Sequence, residues 1–452
     1  MLSFPSAHVI FCTVKSKPAF LAICLQLIVI ISMAQNDSLY LIKAGKIFNS
    51  ETGAFAQNVA VLVKGTFIVK VKSISQLTEK ELSENSIIDL SDYCILPGLM
   101  DAHTHLLFKE TLMPGNRQGT SINLANSLIF SGDAYRAIYG AARAKGYLEG
   151  GITSVQDLGN SGQFADIALQ KAIWDGLVNG PRMKCSGPGL SAAGGQIPGV
   201  LHKYQGIVED EYRIVKGIDD AIHAVRENIA QGATVIKIFS DNSPNNTMLS
   251  VGEMSAIVEE AHSHHYRVTA HAVGNRSVYN AVMAGVDGID HGYEIADSTL
   301  ILMKKKGTVL VPTDGDSLTL EKFAALSDPG NTETRKSFMD YKDALHDRLR
   351  RANKIGVTIV FGSDDYIDFH LPFAESSKRG LIGYYEAGMT IPAILQAATI
   401  NAAKHFGWSN RLGIIKEGMV ADIIAVNKNI SENIESILKV NFVMRNGKVY
   451  VK

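Results

Sequence analysis

Cysteine is scarce in this 452-residue chain, which has four in all, and two of them, Cys12 and Cys24, lie close to the N-terminus. The remaining pair, Cys94 and Cys185, is too small for a disulfide framework and leaves either one bridge or two buried thiols. Net charge is also lacking. Lys plus Arg number 44 against 45 Asp plus Glu, a formal charge of -1, so no polyanion-binding surface is expected and nucleic acid is not an expected partner. The apolar run Ala19 to Ile31 falls short of the roughly 20 residues that span a bilayer. It follows Lys15 and Lys17 and precedes the small residues Ser32-Met33-Ala34, the layout of a secretory signal peptide cleaved near Ala34. The expected product is periplasmic or secreted, with no stable membrane insertion after cleavage; a membrane anchor is the rival reading.

With 46% hydrophobic and 20% charged residues, the rest has the composition of a globular protein long enough for one large domain and a smaller one. From Leu39 to Leu90 the apolar runs are short, alternating and β-branched, as in Asn-Val-Ala-Val-Leu-Val-Lys-Gly-Thr-Phe-Ile-Val, and predict strands of a small sheet. After His105 the texture changes. Helix-like stretches (Ala134–Glu149, Phe164–Leu177, Ile218–Gln231, Val251–His264, Asn275–Ala284) alternate with strand-like runs ending at Asp157, Phe239, His271, His291, Thr313 and Asp364. Repeated strand-helix units of this length predict a parallel sheet, and about eight strands counted from Leu96 is the number that closes into a barrel. Beyond the helix-like Ile391–Phe406, the runs Asp422–Val426 and Asn441–Val451 return to short β texture. The fold class is therefore α/β, a (β/α)8 TIM-like barrel with a small β-sandwich domain formed by both chain ends. The divisions are 1–34 signal peptide, 35–96 and 407–452 sandwich, and 97–406 barrel.

Chemistry-bearing side chains recur where those strands end. In Ile95-Leu-Pro-Gly-Leu-Met-Asp-Ala-His103-Thr-His105 the two histidines share one face of an extended segment and can reach one ion. His-x-His alone is a weak pattern. Lys237, His271, His291 and Asp364 follow on other strands, and active sites of such barrels sit at the strand C-terminal ends. Lys237 interrupts an apolar strand, where an unpaired ammonium is costly and a neutral amine would be a nucleophile. A lone buried histidine or aspartate is more often structural than a ligand, but six such coincidences together argue for a site.

This order of residues resembles the metal-dependent amidohydrolase superfamily, in its imidazolonepropionase-like and Xaa-Pro dipeptidase-like branch. The likeness rests on Leu96-Pro-Gly-Leu-Met-Asp-Ala-His-Thr-His, Gly151-Ile-Thr-Ser-Val-Gln-Asp, Gly180-Pro-Arg-Met-Lys-Cys, Val235-Ile-Lys-Ile, Thr269-Ala-His-Ala, Gly288-Ile-Asp-His-Gly, Phe361-Gly-Ser-Asp and Gly418-Met-Val-Ala-Asp. The resemblance implies two divalent metal ions, most often zinc. His103, His105 and Asp364 would hold one, His271 and His291 the other, and Lys237, carboxylated by CO2, would bridge them. It further implies a metal-bridging hydroxide as nucleophile, with Asp364 as the catalytic proton carrier, and a zinc-dependent dipeptidase-like or N-acyl amino acid hydrolase activity on a peptide-like C–N bond. The alternatives are a cyclic amide, lactone or phosphoester as substrate in the same site, and a barrel scaffold that binds without catalysis. Arg182, His202, Tyr204 and Tyr293 are the candidate contacts to a small-molecule or dipeptide substrate. Gly194-Gly195-Gln196 departs from the Gly-Gly-His expected of prolidase-like members, which counts against proline specificity. Residues 314–340 read as a lid or a solvated insertion, Lys304-Lys305-Lys306 as the positive end of a helix, and a homo-oligomer is compatible with the family.

Overall fold

The computed structural model describes residues 39–112, 120–197, 199–243 and 245–452. The expected leader, its cleavage site near Ala34, Cys12 and Cys24 lie outside the described residues. In chain order the strands are β1 (Leu39–Asn49), β2 (Ala54–Lys64), β3 (Phe67–Ser73), β4 (Ser86–Pro97), β5 (Leu99–Thr104), β6 (Ile152–Asp157), β7 (Arg182–Cys185), β8 (Gly189–Ser191) and β9 (Tyr212–Ile214). There follow β10 (Ile236–Phe239), β11 (Asp241–Asn242), β12 (Thr247–Met248), β13 (Val268–Gly274), β14 (Gly288–Glu294), β15 (Val309–Val311), β16 (Ile423–Asn427), β17 (Val440–Arg445) and β18 (Lys448–Val451).

Both chain ends meet in one seven-stranded sheet of order β18-β17-β16-β4-β1-β2-β3. Its alternating sequence separates two faces. On β4 and β16, Ile95, Ile423 and Ala425 belong to one buried cluster, while Cys94, Leu96, Ile424 and Val426 belong to the cluster that continues through the α/β part of the chain. A one-residue slip would exchange these sets and leave both faces wrong. The β17–β18 hairpin closes on Asn446 and Gly447, whose φ values of 52° and 70° are those of a tight turn that follows the strand twist.

The α/β part alternates strand and helix as its sequence predicts. Asn275–Ala284 and Ile218–Gln231 coincide with their predicted bounds, and Val251–Ser263 opens on a capping box in which Ser250 and Glu253 satisfy each other's backbone N–H. The first long helix, Thr120–Glu149, is broken at Gly132. Two parallel sheets result, β5-β6-β7 and β15-β14-β13-β10-β8-β9. Backbone bonds link them at two places. Thr234 N donates to Cys185 O, while the segment 357–364 bonds β15 through Val360 N to Leu310 O and β5 through Ala102 N to Phe361 O. This segment forms a single bridge, Ile359 to Leu310, rather than a regular strand. Gly362 explains its tight seat, since a Cβ there would lie 2.3 Å from Val311 Cγ1 and 2.9 Å from His103 Cβ.

Cys94 and Cys185 are free and buried. Residues 317–327 and 332–355 are helices, joined by the packing of Phe323 on Phe338. No helix among the described residues is long and apolar enough to cross a membrane.

Candidate metal centre

Strand register brings distant residues to one place. Across the second sheet Phe239 pairs with His271 and His271 with Asp290, while Lys237 pairs with Thr269. Period-two alternation therefore puts Lys237, Phe239, Thr269, His271 and Asp290 on a common face. His103 on β5 and His105 just past its end have Nε2 atoms 3.2 Å from each other. Asp364, whose N–H donates to His103 O, places Oδ1 at 3.5 Å from His103 Nε2 and 3.2 Å from His105 Nε2. All six sequence-predicted ligand candidates, His103, His105, Lys237, His271, His291 and Asp364, line one cavity of about 190 Å³ together with Tyr293.

His291 reaches the cavity by an exception to the strand rule. It follows Asp290 directly, and consecutive strand residues normally face opposite ways. Its φ of 71° turns the side chain back, so that both neighbours serve the same site. Asn160, Thr313 and Asp364 also have φ between 52° and 58°. Such left-handed non-glycine residues cost on the order of 1–3 kcal/mol each and cluster at functional sites.

The ring nitrogens are oriented by what lies behind them. His105 Nδ1–H donates to Gly159 O at 2.9 Å, which leaves Nε2 with its lone pair toward the cavity. Thr313 Oγ1 donates to Pro312 O and so accepts from His291 Nδ1–H at 2.8 Å, freeing His291 Nε2 in the same way. His271 Nε2 lies 2.8 Å from the Gln196 amide nitrogen. His103 Nδ1 and Asp364 Oδ1 are buried and receive no hydrogen bond.

Electrostatics favour the ligand forms of His103, His271, His291 and Asp364. Burial, reinforced by the Lys237 ammonium, holds His103 below the ordinary histidine range. The same two causes pull His271 down to about 4, and burial beside His271 takes His291 well below its usual value. His105 is displaced upward, because Asp364 outweighs burial there. Burial pushes the Asp364 carboxyl up, but His103, His105 and His291 outweigh it and the group ionises more readily than usual. Neutral imidazoles and an ionised carboxylate are what a borderline divalent cation binds. One donor atom each from His103, His291 and Asp364 already lie within 4.8 Å of one another.

Several residues at the site are not evident from sequence. Asp290 is fully buried, forms an ion pair with Lys237, and accepts from Thr269 Oγ1 at 3.1 Å. The pairing satisfies an ammonium that would otherwise be costly at 1% exposure. Asp101 accepts from His103 N, Ser363 N, Ser363 Oγ and Ser377 Oγ, so it ties β5 to the turn that presents Asp364. Even so, burial raises its carboxyl to about 6. Asn160, Gln196, Phe239 and Tyr366 complete the wall.

Three expected substrate contacts are corrected. Arg182 begins β7, at the strand end remote from the cavity, and its guanidinium is engaged by Asp422 at 2.8 Å. His202 and Tyr204 form an exposed turn and do not line the cavity. Tyr293 does line it, with its hydroxyl 3.2 Å from His291 Nδ1 and from Thr313 Oγ1.

Residues 94–450 match the model of the amidohydrolase family. Ochratoxinase of Aspergillus niger is 28% identical over 451 residues, covering 93% of this chain and 88% of that protein. Imidazolonepropionase of Symbiobacterium thermophilum is 25% identical over 370 residues, or 76% of this chain and 77% of its own. Among solved structures, a Xaa-Pro dipeptidase with methionine bound in its active site superposes with a TM-score of 0.77 at 27% identity, covering 92% of this chain and 100% of that one.

Proposed function

The chain belongs to the amidohydrolase family and is a hydrolase of amide C–N bonds; from that premise we propose that it cleaves a peptide-like amide, in a dipeptide or N-acyl amino acid, at a two-metal centre. The metals would be zinc, held by His103, His105, His271, His291 and Asp364 with a carboxylated Lys237 between them, on strands that close as a (β/α)8 barrel beside a β-sandwich built from both chain ends. The observation that carries this reading is the convergence of all six side chains on one small cavity.

Divalent ions in such a site activate water and polarise a carbonyl. The protein's own groups supply the rest. Asp364 is the one carboxylate among the described residues lining the cavity, so it takes the proton of the attacking water and hands it to the leaving amine nitrogen. Burial holds the Tyr293 phenol well above its ordinary range, so it stays protonated and donates a hydrogen bond to the substrate carbonyl. With Arg182 elsewhere, the donors left among the described residues to meet a substrate carboxylate include the neutral amides of Gln196 and Asn160.

The Lys237–Asp290 ion pair favours a second reading, in which Lys237 stays an ammonium and a single ion binds His103, His291 and Asp364. Metal analysis with zinc and bicarbonate supplied separates the two. Two ions per chain, falling to one or fewer in Lys237→Ala, support the bridged centre; one ion regardless of bicarbonate supports the other. A panel of dipeptides and N-acyl amino acids tests the substrate class, and absence of turnover across it removes the proposal. The same reading makes the enzyme secreted or periplasmic, which sequencing the N-terminus of the mature protein checks against cleavage near Ala34.

A further inference from the structure

The chain contains two tryptophans, Trp174 and Trp408, and both line a cleft of about 690 Å³ away from the catalytic cavity. Arg182 and Lys184 of β7 form part of its wall, with Thr234 and Tyr266, which precede β10 and β13, so it opens at the strand starts whereas the catalytic residues sit toward the strand ends. Trp174 is 88% exposed on the rim, an unusual position for an indole unless something covers it.

The charge is one-sided. Lys171, Arg182, Lys184, Arg411 and Arg445 line the cleft, and no carboxylate does among the described residues. Carboxylates near the cleft are engaged. Asp422 takes Arg182 at 2.8 Å and the N–H of Asn446; Asp287 takes Arg267, His262 and the N–H of Val268. Lys184, Arg411 and Arg445 have no ion-pair partner among the described residues, and the buried Nε of Arg445 has no hydrogen-bond partner. Lys184 Nζ and the Arg411 guanidinium stand 5.6 and 5.5 Å from the centre of the Trp408 ring. Burial, with Arg267 and Arg411 nearby, pulls the Lys184 ammonium down to about 8. Clustered like charges around one exposed and one half-buried indole work against folding, and such an arrangement marks a binding site.

We infer that this cleft binds an organic phosphate bearing a planar ring. Three cations without an ion-pair partner among the described residues call for more than one negative charge, and a phosphate monoester carries nearly two at neutral pH. A cleft of this size is larger than a bare phosphate needs and matches small-molecule sites. Two indoles and a guanidinium already stacked on one of them offer the flat surface on which a ring lies.

The test titrates the full chain with AMP, adenosine, inorganic phosphate and benzoate, read by calorimetry and by fluorescence of the two tryptophans. AMP is expected to saturate with a fluorescence change, at least about tenfold more tightly than adenosine, phosphate or benzoate. Lys184→Met and Arg411→Met should each weaken AMP by about tenfold or more while amide hydrolysis and the melting temperature stay unchanged. Should Lys184→Met fail to fold, Arg411→Met decides. The inference is overturned by unsaturable AMP, by AMP binding that ignores the substitution, by benzoate binding as tightly, which would make one charge sufficient, or by phosphate alone binding as tightly, which would make the ring irrelevant.

Discussion

Replacing Asp290 with Asn tests whether Lys237 changes its charge when the centre is loaded. Lys237 and Asp290 form an ion pair at 1% and 0% side-chain exposure, and breaking a buried pair by neutralising one partner costs about 3–5 kcal/mol. One compact unit runs from Leu39 to Lys452. At about 2.1 cal/mol/K per residue its unfolding entropy is near 0.9 kcal/mol/K, so the expected fall in melting temperature is about 3–6 °C. Once Lys237 is carboxylated and metal-bound, no ammonium remains for Asp290 to satisfy, and most of the loss should vanish. Thermal melts of parent and Asp290→Asn, first with chelator and then with zinc and bicarbonate, give both numbers. A variant within about 1 kcal/mol of the parent in chelator would refute the energetic role assigned to the pair. A loss that persists undiminished after loading would refute the change of charge at Lys237 and return the site to the single-ion reading.

Other expectations follow from neighbouring contacts. Lys378 is buried and gives its amine to Gly150 O and Leu438 O, both at 2.9 Å; burial draws it down to about 7 from 10.5. Between those values the unfolded chain holds a proton that the folded chain lacks, so the parent gains stability with rising pH. Relative to Lys378→Met the gain should be about 2 kcal/mol between pH 7 and pH 9, measured by urea unfolding, and a pH-independent difference would contradict it. Asn245 bonds the carbonyls of Gly194, Gly195 and Ile197 through its side-chain amide and so fixes the loop that carries Gln196 to His271. Asn245→Ala should raise KM several-fold with less effect on kcat, whereas equal loss in both would place the loop in the chemistry itself. Lys305 is exposed in the last turn of its helix, and Lys305→Ala should leave activity and metal content unchanged.

The parts of the site that are legible in sequence are those that obey a local period. His103 and His105 are two apart on an extended segment, and their ring nitrogens do converge. Lys237 and His271 sit on strands whose apolar texture is plain, and their positions follow from register. Arg182 illustrates the limit of this approach. The run Gly180-Pro-Arg-Met-Lys-Cys reads as a marker of the site, but Arg182 pairs with Ser154 while Cys185 pairs with Asp157, so the arginine belongs to the start of the strand and to Asp422. His202 and Tyr204 lie in a turn whose placement no period determines. Asp290 was hidden by its neighbour, since alternation assigns it to the face opposite His291.

Site geometry therefore depends on residues that break local rules, and those are held by long-range contacts. Asn160, His291, Thr313 and Asp364 take left-handed φ values, together costing several kcal/mol, of the same order as the net stability of a domain. Each needs neighbours that over-determine it. Asp101 fixes Ser363 beside Asp364 from 262 residues away, and Thr313 holds His291 across β14 and the chain that follows β15. The residue types of the centre can be read one strand at a time, but its shape requires the whole set of contacts at once. That dependence explains why the ligand candidates and Tyr293 converge on one cavity as expected, while Asp101 and Asp290, which hold them in place, do not follow from sequence.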